Sequence, residues 1–280
     1  MGDISLDFNR IEAREYKVML RAARFCGSAK EQNIATRRCW ESLSRSARAV
    51  GVPAHGKPEV GGEEKQRLVR FYDTNEHALY RRAGFILRRR RPVRSNGEWS
   101  VTLKFRSSDW VRASAQAFEP KSGENAKFEE DIKAHPAGSG FQFIPLFSRS
   151  ADVETSRAPE KVGDALSLYK QLQRSLLPDG SADLSIVHGF EAREEVFEGI
   201  ELTLSGKVKA ECAIILWSER GSDPNEMVAA EFSLRYKIKK ESRSPEVAER
   251  AWSAFAAICA NEKWVDPAGP TKTAFVYREA

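Results

Sequence analysis

Little in the 280 residues would tie this chain to a bilayer or to a familiar cofactor motif. No apolar run approaches the ~20 residues that a membrane-spanning helix needs. The opening stretch MGDISLDFNRIEAREYK lacks an apolar core, which argues against a secretory signal, and Leu6 stands where N-myristoylation wants Ser or Thr. A soluble, cytoplasmic protein is therefore expected. Cysteine is scarce: Cys26, Cys39, Cys212 and Cys259 are far apart, with no CxxC and no His at metal-binding spacing, so a zinc site is not expected. The four histidines are scattered, and His77 and His188 read as surface or hydrogen-bonded groups rather than catalysts. Neither a P-loop nor GxGxxG is present, which leaves a conventional nucleotide-binding α/β domain unsupported. A strong excess of one charge is also missing. Lys and Arg number 45 against 40 Asp and Glu, a well-mixed +5 that points to an anionic partner without naming it.

What the chain does have is strand pattern. Ile11–Leu20, Arg67–Thr74, Phe85–Val93, Trp99–Arg106, Ala126–Lys133, Asp183–Phe197, Val208–Trp217 and Val228–Ile238 read as strands, with a hairpin around Ser95-Asn96-Gly97. Helical spacing marks Lys30–Val50, Lys161–Leu177 and Glu246–Ala260, and NEHALYRRAG reads as one turn ending at Gly84. VPAHGKPEVGGEEK reads as a loop, and the Pro/Gly/Ser-rich stretch at about 134–160 as a long connection. About eight strands and a few covering helices predict one domain over 1–280, of α+β class, built on one closed or nearly closed sheet.

The faces of those strands are informative. In WSVTLKFR, Trp99, Val101, Leu103 and Phe105 share one side while Ser100, Thr102, Lys104 and Arg106 share the other. Phe128 and Ile132 oppose Lys127, Glu129 and Asp131. Phe232 and Leu234 oppose Glu231, Ser233 and Arg235. Arg88 and Arg90 share a face, as do Ala13, Glu15 and Lys17. A half-buried sheet with one wet face explains any single strand. The amphipathic helices need apolar surface to cover, however. If they clothe the outside, the charged faces line the lumen. Like charges ~4 Å apart at an effective dielectric of ~20 repel by roughly 4 kcal/mol, so such a lumen calls for interleaved acids, water or a bound polyanion. Arg suits phosphate because its planar fork donates paired hydrogen bonds, and carboxylates beside it make sense around a hard divalent cation.

The segment RFYDTNEHALYRRAGFILRRRRPVRSNGEWSVTLKF resembles the heart of CYTH-domain proteins, the triphosphate tunnel metalloenzymes. It carries FYDT, then ALYRRAG, then Leu87-Arg88-Arg89-Arg90, then Thr102-Leu103-Lys104. The resemblance implies an eight-stranded antiparallel tunnel in which bases grip a triphosphate and acids hold Mg²⁺ or Mn²⁺. By position, Lys17, Arg88, Arg90 and Lys104 match the catalytic and phosphate-binding bases, with Arg106, Arg193 and Arg235 as further grips. Glu15, Glu129 and Glu231 match metal ligands. Two acids of the family pattern are missing: Ala13 stands in the first position of the N-terminal ExExK, with Glu12 one place off, and Ser233 replaces the second acid of the last strand.

Three functions follow as expectations. The first is a divalent-metal-dependent hydrolase or cyclase acting on a triphosphate. The alternative is a non-catalytic binder of polyphosphate, nucleotide or another acidic metabolite, with the metal site partly eroded, which Ala13 and Ser233 favour. A nucleic-acid protein reading rests on the run Arg88 to Arg91 and is disfavoured, because consecutive strand residues point both ways. Substrate identity and oligomeric state, a homodimer included, are not legible.

Overall fold

The computed structural model describes residues 11–137, 140–172, 177–266 and 268–278. Its elements in chain order are β1 (Ala13–Leu20), α1 (Ala29–Ala49), β2 (Ala54–Val60), β3 (Gln66–Asp73), α2 (Ala78–Arg81), β4 (Phe85–Pro92), β5 (Trp99–Ser107), α3 (Trp110–Ser114), β6 (Glu119–Pro120), β7 (Lys127–Ala137), β8 (Gly140–Thr155), α4 (Val162–Leu166), β9 (Tyr169–Lys170), β10 (Ser185–Thr203), β11 (Lys209–Glu219), β12 (Ala229–Lys237), α5 (Pro245–Cys259) and α6 (Lys272–Tyr277).

Nine strands close on themselves in the order β11-β12-β1-β7-β8-β5-β4-β3-β10, with β10 returning to β11. The class is α+β and the sheet is a closed barrel. The expected eight-stranded, wholly antiparallel form is corrected on two counts, and one cause explains both. An odd ring cannot alternate direction at every junction, so one neighbouring pair has to be parallel. That pair is β1–β7, with Ala13 opposite Glu129 and Lys17 opposite Lys133. The extra strand is β8, which lies in the stretch expected to be a long connection. Its Pro145 hid it. Residues 140–146 pair with β7 alone and β5 joins only from Phe147, so the missing N–H of Pro145 faces a free edge.

A second edge strand replaces the loop expected over VPAHGKPEVGGEEK. β2 pairs only with β10, beyond the point where β3 leaves it. Its Gly56 sits at φ +86° opposite the Gly199 bulge, and an added Cβ would lie 2.0 Å from the Gly199 carbonyl oxygen. Gly56→Ala should therefore cost about 2 kcal/mol, from backbone strain and overpacking together. Chemical denaturation would check this, and an unchanged midpoint would contradict it.

The long helices α1 and α5 lie outside, as the strand faces required. α1 opens with Ser28 and Glu31 capping each other (Ser28 N–H to Glu31 Oε2, 2.8 Å), and α5 opens with Ser244 capping Val247 ahead of Pro245. Both rest on the outward residues of β1, β11 and β12: Tyr16 meets Phe255 at 5.1 Å between ring centroids and Trp40 meets Phe232 at 6.5 Å. A second outer core of Phe85, Leu87, Val101, Leu103, Phe105 and Phe118 lies under α3 and β6–β9. The helix expected over Lys161–Leu177 shortens to α4, because Tyr169 leaves the helix to bury its ring and donate to the Val101 carbonyl at 2.9 Å. Leu176 lies outside the described residues. α6 has no counterpart in the sequence reading; Val276 and Tyr277 bury against Phe71 and Trp217.

Candidate functional site

The inward faces of the barrel enclose a cavity of about 460 Å³ lined by ten Lys and Arg side chains against five carboxylates. The pleat explains how they meet. On β5, Thr102, Lys104 and Arg106 point in while Val101, Leu103 and Phe105 point to the outer core; β4 adds Arg88 and Arg90, and β1 adds Glu15 and Lys17. β7 contributes Lys127, Glu129 and Lys133, and β12 contributes Glu231 and Arg235. Of the ten residues expected at the site, nine line this bore. Arg193 does not. It faces outward with Glu195 (3.4 Å), and the lumen residue beside it is Glu194.

Asp131 organises one wall. Fully buried, it accepts from Lys17 Nζ at 2.9 Å and Lys104 Nζ at 3.0 Å, with Ser148 Oγ at 3.4 Å and Arg106 Nη2 at 3.6 Å. Burial alone would raise its carboxyl, but Lys104, Lys17 and Arg106 outweigh that and hold it well below the usual range. On the opposite wall Glu194 accepts from Arg67 Nε (2.9 Å) and Trp217 Nε1 (2.8 Å), with Lys272 of α6 at 3.8 Å. It too is held low against its burial, by Arg67, Lys272 and Arg90.

The bases divide into satisfied and unsatisfied. Lys17 is raised, since Asp131, Glu15 and Glu231 overcome its desolvation. Lys104 is pushed down to about 8: burial, helped by Arg106 and Lys17, beats its contact with Asp131. Lys133 falls to about 8 for the same first reason, burial, with Arg106 and Lys17 adding repulsion. Arg88 is pulled down to about 9 by burial and by Arg90, and Arg90 is lowered by burial and by Arg67. Among the described residues Arg88 Nε and Arg90 Nε have no hydrogen-bond partner, and the carboxylate oxygen nearest to Arg90 is that of Asp152 at 3.8 Å. Among the described residues, no carboxylate lies within 4.0 Å of Arg88 or Lys133. Lys104 has to share Asp131 with Lys17 and Arg106, and Arg88 and Lys133 have no carboxylate of their own among these residues, so this part of the bore carries more positive charge than its acids match.

The carboxylates expected to hold Mg²⁺ or Mn²⁺ do not fit that role as they stand. Glu15 pairs with Lys17 (2.8 Å), Glu129 with Arg235 (2.6 Å) and Glu231 with Lys272 (3.0 Å). Each faces its own base rather than a shared centre, and among the described residues no three His, Cys, Asp or Glu side chains are grouped for a metal ion. Glu12 is not recruited either; its carboxylate accepts the Phe128 amide at 3.3 Å, outside the bore. No protein-family model matches the chain, and no curated protein is significantly similar to it.

Several site residues escaped the sequence reading. Asp131 stands on the charged face of its strand but carries no motif, and Lys133 follows two places on at the strand's end. Arg67 shares its face with Val69 and Phe71, so alternation gave no sign of it. Lys272 arrives from α6, far along the chain, and only the fold places it beside Glu231.

Proposed function

We propose that the bore is a receptor for a small polyanion of the polyphosphate class, in the manner of a CYTH-like binder. The observation that carries this is Arg88: a half-buried cation lining the lumen, with its Nε unpartnered, beside a second arginine of the same charge. Like charges held side by side with no carboxylate between them repel by up to roughly 4 kcal/mol at an effective dielectric of ~20, and an incoming phosphate chain would relieve this. Arg88 and Arg90 would hold one phosphoryl group in their forks, and Lys104 and Lys133 would neutralise the next. The test is calorimetric titration of tripolyphosphate into the protein in the presence of a chelator. Binding without added metal is expected; no heat and no thermal stabilisation would overturn the proposal.

A second reading, hydrolysis of the bound triphosphate, is favoured by one observation. Lys104 and Lys133 line the bore and are brought to about 8, so either ammonium could give a proton to a departing phosphate oxygen near neutrality. Phosphate release from tripolyphosphate or ATP, with and without Mg²⁺ or Mn²⁺, separates an enzyme from a binder.

The same two lysines fix the pH dependence. Both are cationic below about 8 and lose that charge above it, so tripolyphosphate affinity should fall as pH rises from 7 to 9.5. Titrations at three pH values would check the trend, and affinity that rises or stays flat would contradict it. Stability of the unliganded fold runs the other way. The folded pKa of each lysine lies below the ordinary 10.5, so the unfolded chain holds more protons between about 8 and 10.5 and stability rises with pH across that window.

A further inference from the structure

β4 carries four consecutive arginines, and the bore accounts for two of them. Arg89 and Arg91 point to the outer wall. There, three guanidinium carbons surround one indole: Arg89 at 4.7 Å, Arg70 at 4.8 Å and Arg91 at 4.8 Å from the Trp99 ring centroid. Arg70 is neutralised by Glu191. Arg89 is only 2% exposed and bonds the Tyr72 hydroxyl at 3.4 Å, yet among the described residues no carboxylate lies within 4.0 Å of Arg89 or Arg91. The Nε atoms of both are buried and unpartnered. Stacking on a ring leaves the in-plane N–H donors of a guanidinium directed at its periphery, where an anion can reach them.

Beside this cluster is a second cavity, of about 370 Å³, on the outside of the barrel. The strand register sets its width. Leu68 on β3 lies opposite Arg91 on one side and Arg193 on the other, so the two arginines flank one leucine with Cα atoms roughly 10 Å apart. Long side chains close that gap from both sides. Arg220 and Ser222, from the turn after β11, form the rim. Glu219 is the carboxylate on the wall, against three arginines. Arg193 keeps its Nε unpartnered while Glu195 holds its Nη2, and Arg220 is paired with Glu191.

We propose that this outer cavity is a second anion site, taking a small ligand through a phosphate or pyrophosphate group clamped between Arg91 and Arg193 above Leu68. Arg89, held on Trp99, positions Arg91 and adds field without touching the ligand. The site is separate from the bore, because β4 presents the two pairs of arginines to opposite faces of the same sheet.

The experiment removes the bore first. In an Arg88→Met/Arg90→Met protein, calorimetry with pyrophosphate should still show one binding event per chain. Adding Arg91→Gln/Arg193→Gln should abolish it, because each charge-assisted contact is worth about tenfold in affinity. Ser222→Glu places a like charge on the rim without touching any arginine and should weaken binding by about tenfold as well. Absence of binding in a background that circular dichroism shows to be folded would overturn the inference. So would binding indifferent to both changes. If that background fails to fold, Ser222→Glu in the otherwise natural chain should weaken one of two pyrophosphate events by about tenfold and leave the other unchanged, and two unchanged events would refute the site. A failure of the bore reading looks different: wild-type affinity that Arg88→Met/Arg90→Met leaves untouched.

Discussion

Asp131→Asn should lower the unfolding free energy of the unliganded protein by about 3–5 kcal/mol, the cost of leaving buried cations without their counter-charge. Asp131 is fully buried and is the shared partner of Lys17, Lys104 and Arg106. An amide can still accept a hydrogen bond, but three positive groups would then face one another around a neutral centre. The pH dependence identifies the cause. The folded pKa of Asp131 lies below the ordinary 3.8, so its contribution is complete above about pH 5 and is lost as pH falls through the folded value. The wild-type protein should therefore lose more stability in acid than the variant does. Tripolyphosphate should restore part of the loss at neutral pH, since a ligand present at 100 times its Kd stabilises by about 2.7 kcal/mol. Urea denaturation at two pH values, with and without ligand, measures all three effects. A variant as stable as the parent would mean that the cations around Asp131 do not depend on it.

Arg88→Met should act in the opposite direction on stability while removing function. Among the described residues Arg88 has no carboxylate partner, and its pKa is pulled down to about 9, so the folded state carries it at a cost. A side chain of similar reach without charge should stabilise the empty protein by about 2 kcal/mol. Tripolyphosphate affinity should fall by about 100-fold, one bidentate charge-assisted contact being lost along with the field that it supplied. Together these two shifts separate a ligand-binding arginine from a structural one. If the variant is destabilised and binds as before, Arg88 belongs to the wall and not to the receptor.

Much of this architecture could be read from alternation alone. β5 shows why: apolar and polar residues change places at every step from Trp99 to Arg106, and each apolar one reaches the outer core or a cation–π contact while Thr102, Lys104 and Arg106 reach the lumen. The amphipathic helices then decided which face was the outside. β10 shows where alternation fails. In Glu191-Ala192-Arg193-Glu194-Glu195 almost every residue is charged, so no apolar partner marks the inward side, and Arg193 was assigned to the bore when Glu194 occupies it. β8 and β2 were missed for a related reason. Pro145 and Gly56 are breakers in the middle of a sheet but harmless on strands with one free edge, and a sequence does not say which strands those are. The metal site was read from the positions of its acids. Their partners, Lys17, Arg235 and Lys272, come from neighbouring positions in space rather than in sequence.

The most direct test is a crystal structure of the protein with tripolyphosphate. Phosphorus atoms inside the barrel, within hydrogen-bonding reach of Arg88, Arg90 and Lys104, are the expected result. Density for the ligand on the exterior alone, with the lumen empty of phosphate at saturating concentration, would contradict the account.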